Sequence, residues 1–162
     1  MSKIIWITGI SGVGKTSLAK HYLNFLNNYV WIDGDKFREL FNNDIKYSLK
    51  DRNKNAERLI SFVTFLNKQK INLLISANLT SDKYKKEIRK FKKLYNIQIE
   101  TDMNILKKRD KKHIYRKNKN VVGKDIKISK NHKFSDYLIL NNSSKKEFLD
   151  KGLSILKKIK KK

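Results

Sequence analysis

The stretch Gly9-Ile10-Ser11-Gly12-Val13-Gly14-Lys15-Thr16 fits G-x-x-x-x-G-K-[ST], and nothing else in the 162 residues restricts the fold as tightly. In such a loop glycines let backbone N–H groups approach phosphate oxygens, the lysine reaches the β- and γ-phosphates, and the hydroxyl binds magnesium. That geometry needs a strand before the loop and a helix after it. Lys3-Ile4-Ile5-Trp6-Ile7-Thr8 is short, apolar, β-branched and aromatic, as a strand is, while Ser17-Leu18-Ala19-Lys20-His21-Tyr22-Leu23 has helical apolar spacing. A phosphate would then rest on a helix N-terminus, whose free N–H groups and dipole favour an anion.

The rest of the chain supplies what such a loop needs around it. An apolar strand over residues 29–32 ends in Asp33-Gly34-Asp35, and ligands of open α/β sheets bind at the carboxyl ends of strands. Asp35 can cap the helical stretch over residues 36–41, which leaves Asp33 unexplained. In the functional reading one or both carboxylates hold magnesium or accept a proton from a substrate hydroxyl. Ser48 to Asp51 resembles a capping box ahead of an amphipathic run over residues 56–68, in which Arg52 and Asn55 are equally readable as ordinary first-turn polar positions.

The strand over residues 71–75, with an unbroken apolar core, ends in Ser76-Ala77-Asn78-Leu79-Thr80-Ser81. A lysine-rich helix is expected over residues 81–95, a strand over 97–99, a helix over 103–109, a last strand over 137–140 and an amphipathic helix over 143–160. Strands alternating with helices imply right-handed crossovers and a parallel sheet. The expected fold is α/β: a three-layer P-loop NTPase fold with five parallel strands, one domain over residues 1–162. Residues 109–133 lose apolar periodicity and crowd basic side chains. They read as a solvated connection or as a lid that closes over phosphates and excludes water.

Composition narrows the alternatives. There is no cysteine, hence no disulfide or thiolate nucleophile, and no proline. No apolar run approaches the roughly 20 residues that span a bilayer, so a cytoplasmic protein without a membrane partner is expected. The net charge of +24 is spread along the chain among many asparagines and isoleucines, a bias that an AT-rich genome produces by itself. It is weak evidence for nucleic acid and suits a small anionic nucleotide. A regulatory GTPase would need a guanine-recognition N-K-x-D element, which is absent between Tyr95 and Ile139. A basic nucleic-acid-binding module or a polynucleotide kinase is the remaining alternative, and the former would reveal itself by salt-sensitive binding.

With these residues in hand the chain resembles the adenylylsulfate kinase (APS kinase) family, enzymes that transfer the γ-phosphoryl group of ATP to the ribose 3′-hydroxyl of adenosine 5′-phosphosulfate. The loop is similar to the family's G-L-S-G-x-G-K-[ST]. Asp33-Gly34-Asp35 with Arg38 resembles D-G-D-x-x-R, and Asp51-Arg52-Asn53-Lys54-Asn55 resembles D-R-x-x-N. Tyr47-Ser48 stands where the family has G-F-S, Ile75-Ser76-Ala77 resembles I-S-A, and Arg109-Asp110-Lys111-Lys112-His113-Ile114-Tyr115-Arg116-Lys117 is similar to the lid element R-D-x-K-x-L-Y-K-K.

The resemblance implies ATP and Mg²⁺ as cofactors. ATP would be held by Gly9, Ile10, Ser11, Gly12, Val13, Gly14, Lys15, Thr16, Ser17 and Arg109. Asp35 would be the base or hydroxyl-orienting carboxylate, with Lys15 also catalytic and Thr16 and Asp35 at the metal. The acceptor would meet Asp33, Arg38, Tyr47, Arg52, Asn55, Ser76, Ala77, Lys112 and Tyr115. Arginine forks suit phosphate and sulfate oxygens, and Tyr47 would stack on the base where the family uses phenylalanine. Dimers are common in the family, and no feature of this sequence marks an interface.

Two departures bear on the acceptor. Asn120-Val121-Val122-Gly123-Lys124-Asp125 stands where the family carries an aromatic residue in N-F-T-G-I-D, and no proline follows. The family's I-S-A-F-I-S-P run is replaced by Ile75-Ser76-Ala77-Asn78-Leu79-Thr80-Ser81. The catalytic elements are kept and the base-clamping ones altered, so an acceptor other than adenosine 5′-phosphosulfate is the alternative, and resemblance to a relative of the family implies a cytidine nucleotide. An APS-kinase-like cytidine diphosphoramidate kinase of bacterial capsule biosynthesis has that description.

Overall fold

The computed structural model describes residues 2–41, 44, 46–109, 121, 124, 125 and 132–162. Lys112, Tyr115 and nearly all of the segment expected to form the lid lie outside them.

Five strands form one sheet: β1 (Ile4–Thr8), β2 (Tyr29–Asp33), β3 (Asn72–Ser76), β4 (Leu94–Glu100) and β5 (Tyr137–Leu140). They lie in the order β2-β3-β1-β4-β5 and every pairing is parallel. The described helices are α1 (Lys15–Leu23), α2 (Gly34–Glu39), α3 (Leu49–Lys68), α4 (Asp82–Ile88), α5 (Met103–Arg109) and α6 (Lys145–Lys160), with one 3-10 turn at His132–Phe134. No helix among the described residues is long and apolar enough to cross a membrane.

Strand alternation sends β1 side chains into two cores. Ile5 and Ile7 pack with Leu18, Tyr22, Leu106, Phe148 and Leu156, placing α1, α5 and α6 on one face. Ile4 and Trp6 pack with Phe37, Leu59, Val63, Tyr84 and Ile88, placing α2, α3 and α4 on the other. The expected three-layer α/β architecture is the observed one, with β1 in the middle of the sheet. All four β1 isoleucine and tryptophan side chains are buried, and full burial of each is worth roughly 1.5–3 kcal/mol, so this strand anchors the loop that leaves it.

Two local expectations are corrected. The helix expected over residues 81–95 ends at Ile88, because Leu94 and Tyr95 pair with Ile4 and Ile5 and extend β4 to seven residues. Pairing with the central strand there outweighs helix propensity, which is a weak prior. Asp33, not Asp35, caps α2: its carboxylate accepts from the backbone N–H groups of Asp35 and Lys36. The helix start expected at Ser48 to Asp51 is the observed one: Ser48 caps α3 by accepting from the Asp51 N–H. Arg52 and Asn55 consequently lie three positions apart on one helix, where side chains are neighbours.

Candidate active site

The carboxyl ends of β1, β2 and β3 meet at one edge. After β1 the backbone turns through Gly9, Gly12 and Gly14, whose φ values of 143°, 83° and 107° suit glycine alone. Space reinforces this: a Cβ on Gly9 would lie 2.5 Å from the Ile99 carbonyl, and one on Gly14 would lie 3.0 Å from the Asn141 amide nitrogen and from the Phe148 ring. β4, the turn after β5, and α6 therefore back the loop from behind.

Lys15 opens α1, and its Nζ donates to the Ile10 carbonyl at 2.8 Å, so the side chain curls back over the loop. Burial pushes its pKa down to about 8, against the pull of Asp35 and Asp33 and with a further push from Arg52. These four charges, far apart in sequence, thus act on one another at one site. Ser17 follows on the exposed side of α1.

Asp33 is the hub of the next group. Register places it beside Ser76, and its Oδ2 accepts from the hydroxyls of Thr16 and Ser76, each at 2.9 Å. The Trp31 indole N–H donates to Ser76 Oγ at 3.0 Å, fixing that hydroxyl's direction. Burial opposes ionisation of Asp33, but these hydroxyls and the two capping N–H groups outweigh it and hold its carboxyl below the usual range. Ala77 donates its N–H to the Ile7 carbonyl and packs against Gly34, where a Cβ would lie 2.7 Å from the Ala77 side chain.

Asp35 projects from α2 with its side chain 76% exposed, and the Arg38 Nη1 lies 3.5 Å from its Oδ1. The Arg38 guanidinium sits 4.7 Å from the centre of the Tyr47 ring and that of Arg52 5.6 Å, while Arg52 Nε also donates to the Tyr47 carbonyl at 3.1 Å. Burial and repulsion from Arg38 push the Arg52 pKa down. Two guanidiniums on one aromatic ring, with a single carboxylate beside them, form a site for an anion that also presents a flat ring. Among the described residues, Arg38 Nε and, one turn of α3 beyond Arg52, Asn55 Oδ1 are buried without a hydrogen-bond partner, and such atoms call for an explanation that a bound ligand would provide.

Among the expected residues that the structure describes, eight are brought together and Arg109 reaches the site indirectly. Lys15, Thr16, Asp33, Asp35, Arg38, Tyr47, Arg52 and Ser76 are joined by the contacts above. Arg109 instead donates to the carbonyls of Asn141 and Ser143, at 2.9 and 2.7 Å. Thr16 pairs with Asp33, whereas the expected metal pair was Thr16 and Asp35. A hydroxyl and a carboxylate sharing one proton bridge are the hard oxygen donors magnesium takes, and the ion keeps waters and phosphate oxygens as its other ligands. Among the described residues no three His, Asp or Glu side chains converge on a metal site. Sequence reasoning missed Trp31 and Asn141. The one signal for Asn141 was its place at the carboxyl end of a strand, where the other strands also carry site residues.

A loop, a capping aspartate and an arginine–aromatic cluster in this arrangement invite comparison with known proteins. The family model described as adenylylsulphate kinase matches residues 1–130. The cytidine diphosphoramidate kinase of Campylobacter jejuni is 34% identical over 166 residues, covering 96% of this chain and 95% of that protein. The adenylyl-sulfate kinase of Buchnera aphidicola (Schizaphis graminum) is 32% identical over 126 residues, 73% of this chain and 59% of that protein. The fold is that of the Mycobacterium tuberculosis APS kinase in complex with AMPPNP and APS, with a TM-score of 0.83 and 23% identity over 99% of this chain and 98% of that one. A family match over most of the chain, carried by a kinase relative aligned almost end to end, makes this phosphotransferase a member of the adenylylsulphate kinase family.

Proposed function

We propose that the enzyme transfers the γ-phosphoryl group of ATP to the ribose 3′-hydroxyl of a nucleotide, and that the nucleotide is of the cytidine diphosphoramidate type. The observation that carries the acceptor site is the Asp35, Arg38, Tyr47 and Arg52 cluster, set beside Lys15. Lys15 exchanges the Ile10 carbonyl for phosphate oxygens, and the backbone N–H groups of residues 9–16 surround them. Thr16 and Asp33 hold magnesium, which when bound neutralises charge on the β- and γ-phosphate oxygens. Asp35 accepts the proton of the acceptor hydroxyl. Arg38 and Arg52 fork onto the acceptor's anionic oxygens, and Tyr47 stacks on its base. Phosphoryl transfer asks mainly for this positioning and charge stabilisation. With ATP as the donor, the proposed location is the cytoplasm.

The acceptor class is supported by the Campylobacter relative, which aligns over 95% of its own length, and by the absence of an aromatic residue from residues 120–125. Adenylyl sulfate is the second reading, favoured by the family model and the Buchnera relative. ADP release in a coupled assay, with ATP, magnesium and each acceptor in turn, separates them. Turnover of cytidine diphosphoramidate alone is the expected result; turnover of adenylyl sulfate alone overturns the acceptor assignment. Turnover of neither, with ATP still bound, overturns both.

A further inference from the structure

We infer that Asn141 is a positioning residue for the phosphate loop, an inference that rests on the reading of residues 9–16 as the ATP site. Asn141 follows β5, is buried, and donates through its side-chain amide to the Val13 carbonyl at 2.8 Å across 128 residues of sequence. Its own backbone N–H donates to the Glu100 carbonyl at 2.8 Å, so it is built into the sheet's edge.

The consequence lies in the planarity of one peptide. In a trans peptide the C=O of Val13 and the N–H of Gly14 point in opposite directions. Drawing the Val13 oxygen back toward Asn141 turns the Gly14 N–H the other way, toward the side a phosphate would occupy, immediately before Lys15. The contact of a Gly14 Cβ with Asn141 shows how closely the amide is seated against this peptide.

Asn141 is itself held from two sides. Arg109 Nη1 donates to its Oδ1 at 3.3 Å as well as to its carbonyl, and Nη2 donates to the Ser143 carbonyl. Asn142 exchanges hydrogen bonds with Asp102, at 3.0 and 2.9 Å, pinning the turn to the start of α5. Both ends of α5 thus fix the turn that orients the loop, and Asn141 lies beyond the residues the family model matches.

Asn141→Asp preserves shape and removes the donor. ATP dissociation constants from calorimetry are expected to rise about tenfold, as for a lost buried hydrogen bond, with the acceptor KM within about twofold of the parent. Asn141→Ser, which also lacks the amide but brings no charge, should move in the same direction. Asn67→Ala, which removes the acceptor of the Ser2 hydroxyl at the opposite end of β1, should leave ATP affinity within about twofold while also lowering the melting temperature. Parent-like ATP affinity in both Asn141 variants, or equal weakening in Asn67→Ala, overturns the assignment. A parent that binds no ATP overturns instead the reading on which it rests.

Discussion

The phosphate loop and the arginine–tyrosine cluster share one edge of the sheet but are held by different forces. The loop is shaped by close packing: Val13 is fully buried, Gly9 and Gly14 touch neighbouring backbone and side chains, and Asn141 fixes a peptide from behind. The cluster is held by longer electrostatic contacts that open to solvent at Asp35 and Tyr47, with Asp35 and Arg38 at 3.5 Å and Tyr47 55% exposed. Packed interiors resist small displacements, whereas exposed ion pairs contribute about 0–1 kcal/mol and yield easily. On the proposed assignment the donor half is therefore preorganised and the acceptor half adaptable, which is a physical reason why one fold can serve different acceptors.

The sharpest way to break this comparison is to separate chemistry from binding. Asp35→Asn is expected to lower kcat by about 10²–10⁴-fold, the range of a lost general base, while ATP affinity stays within about twofold. Steady-state kinetics and calorimetry check the two halves, and a parent-like kcat would remove Asp35 from the reaction.

A smaller effect tests whether the cluster belongs to the acceptor alone. Tyr47→Ala should raise the acceptor KM about tenfold, the worth of one base–aromatic stack, and leave the KM for ATP unchanged. Equal increases for both substrates would show that the two halves are not independent.

The smallest effect lies in pH. Because Lys15 in the free enzyme is pushed down to about 8, its charged form predominates below that value and is lost above it. Phosphate needs the ammonium, so ATP affinity should fall about threefold between pH 7.5 and 8.5 and stay level in Lys15→Arg, whose guanidinium keeps its proton. A flat profile in the parent would place the Lys15 titration outside this window.

Much of the fold was legible because its signals are local. Residues 3–8 and 71–75 read as strands from their apolar cores, and Ser48 with Asp51 read as a helix start from capping chemistry. The boundary between α4 and β4 was not legible, since Leu94 becomes a strand residue only by pairing with Ile4, ninety positions earlier. In the site, the loop motif and the paired Asp33 and Asp35 stood out by spacing and Arg38 and Arg52 by the family resemblance, but which aspartate caps α2 and which meets Thr16 did not.

What the sequence by itself determined about this protein is the loop, its flanking strand and helix, and hence the α/β class, because glycine freedom, apolar periodicity and capping act over a few residues. Only the tertiary structure decided that Asp33 joins Thr16 to Ser76, that Tyr47 lies under two guanidiniums, and that Asn141 orients the loop from the far end of the chain. Those contacts depend on strand order and register, which bring the ends of β1, β2, β3 and β5 to one edge and which no short stretch of residues encodes.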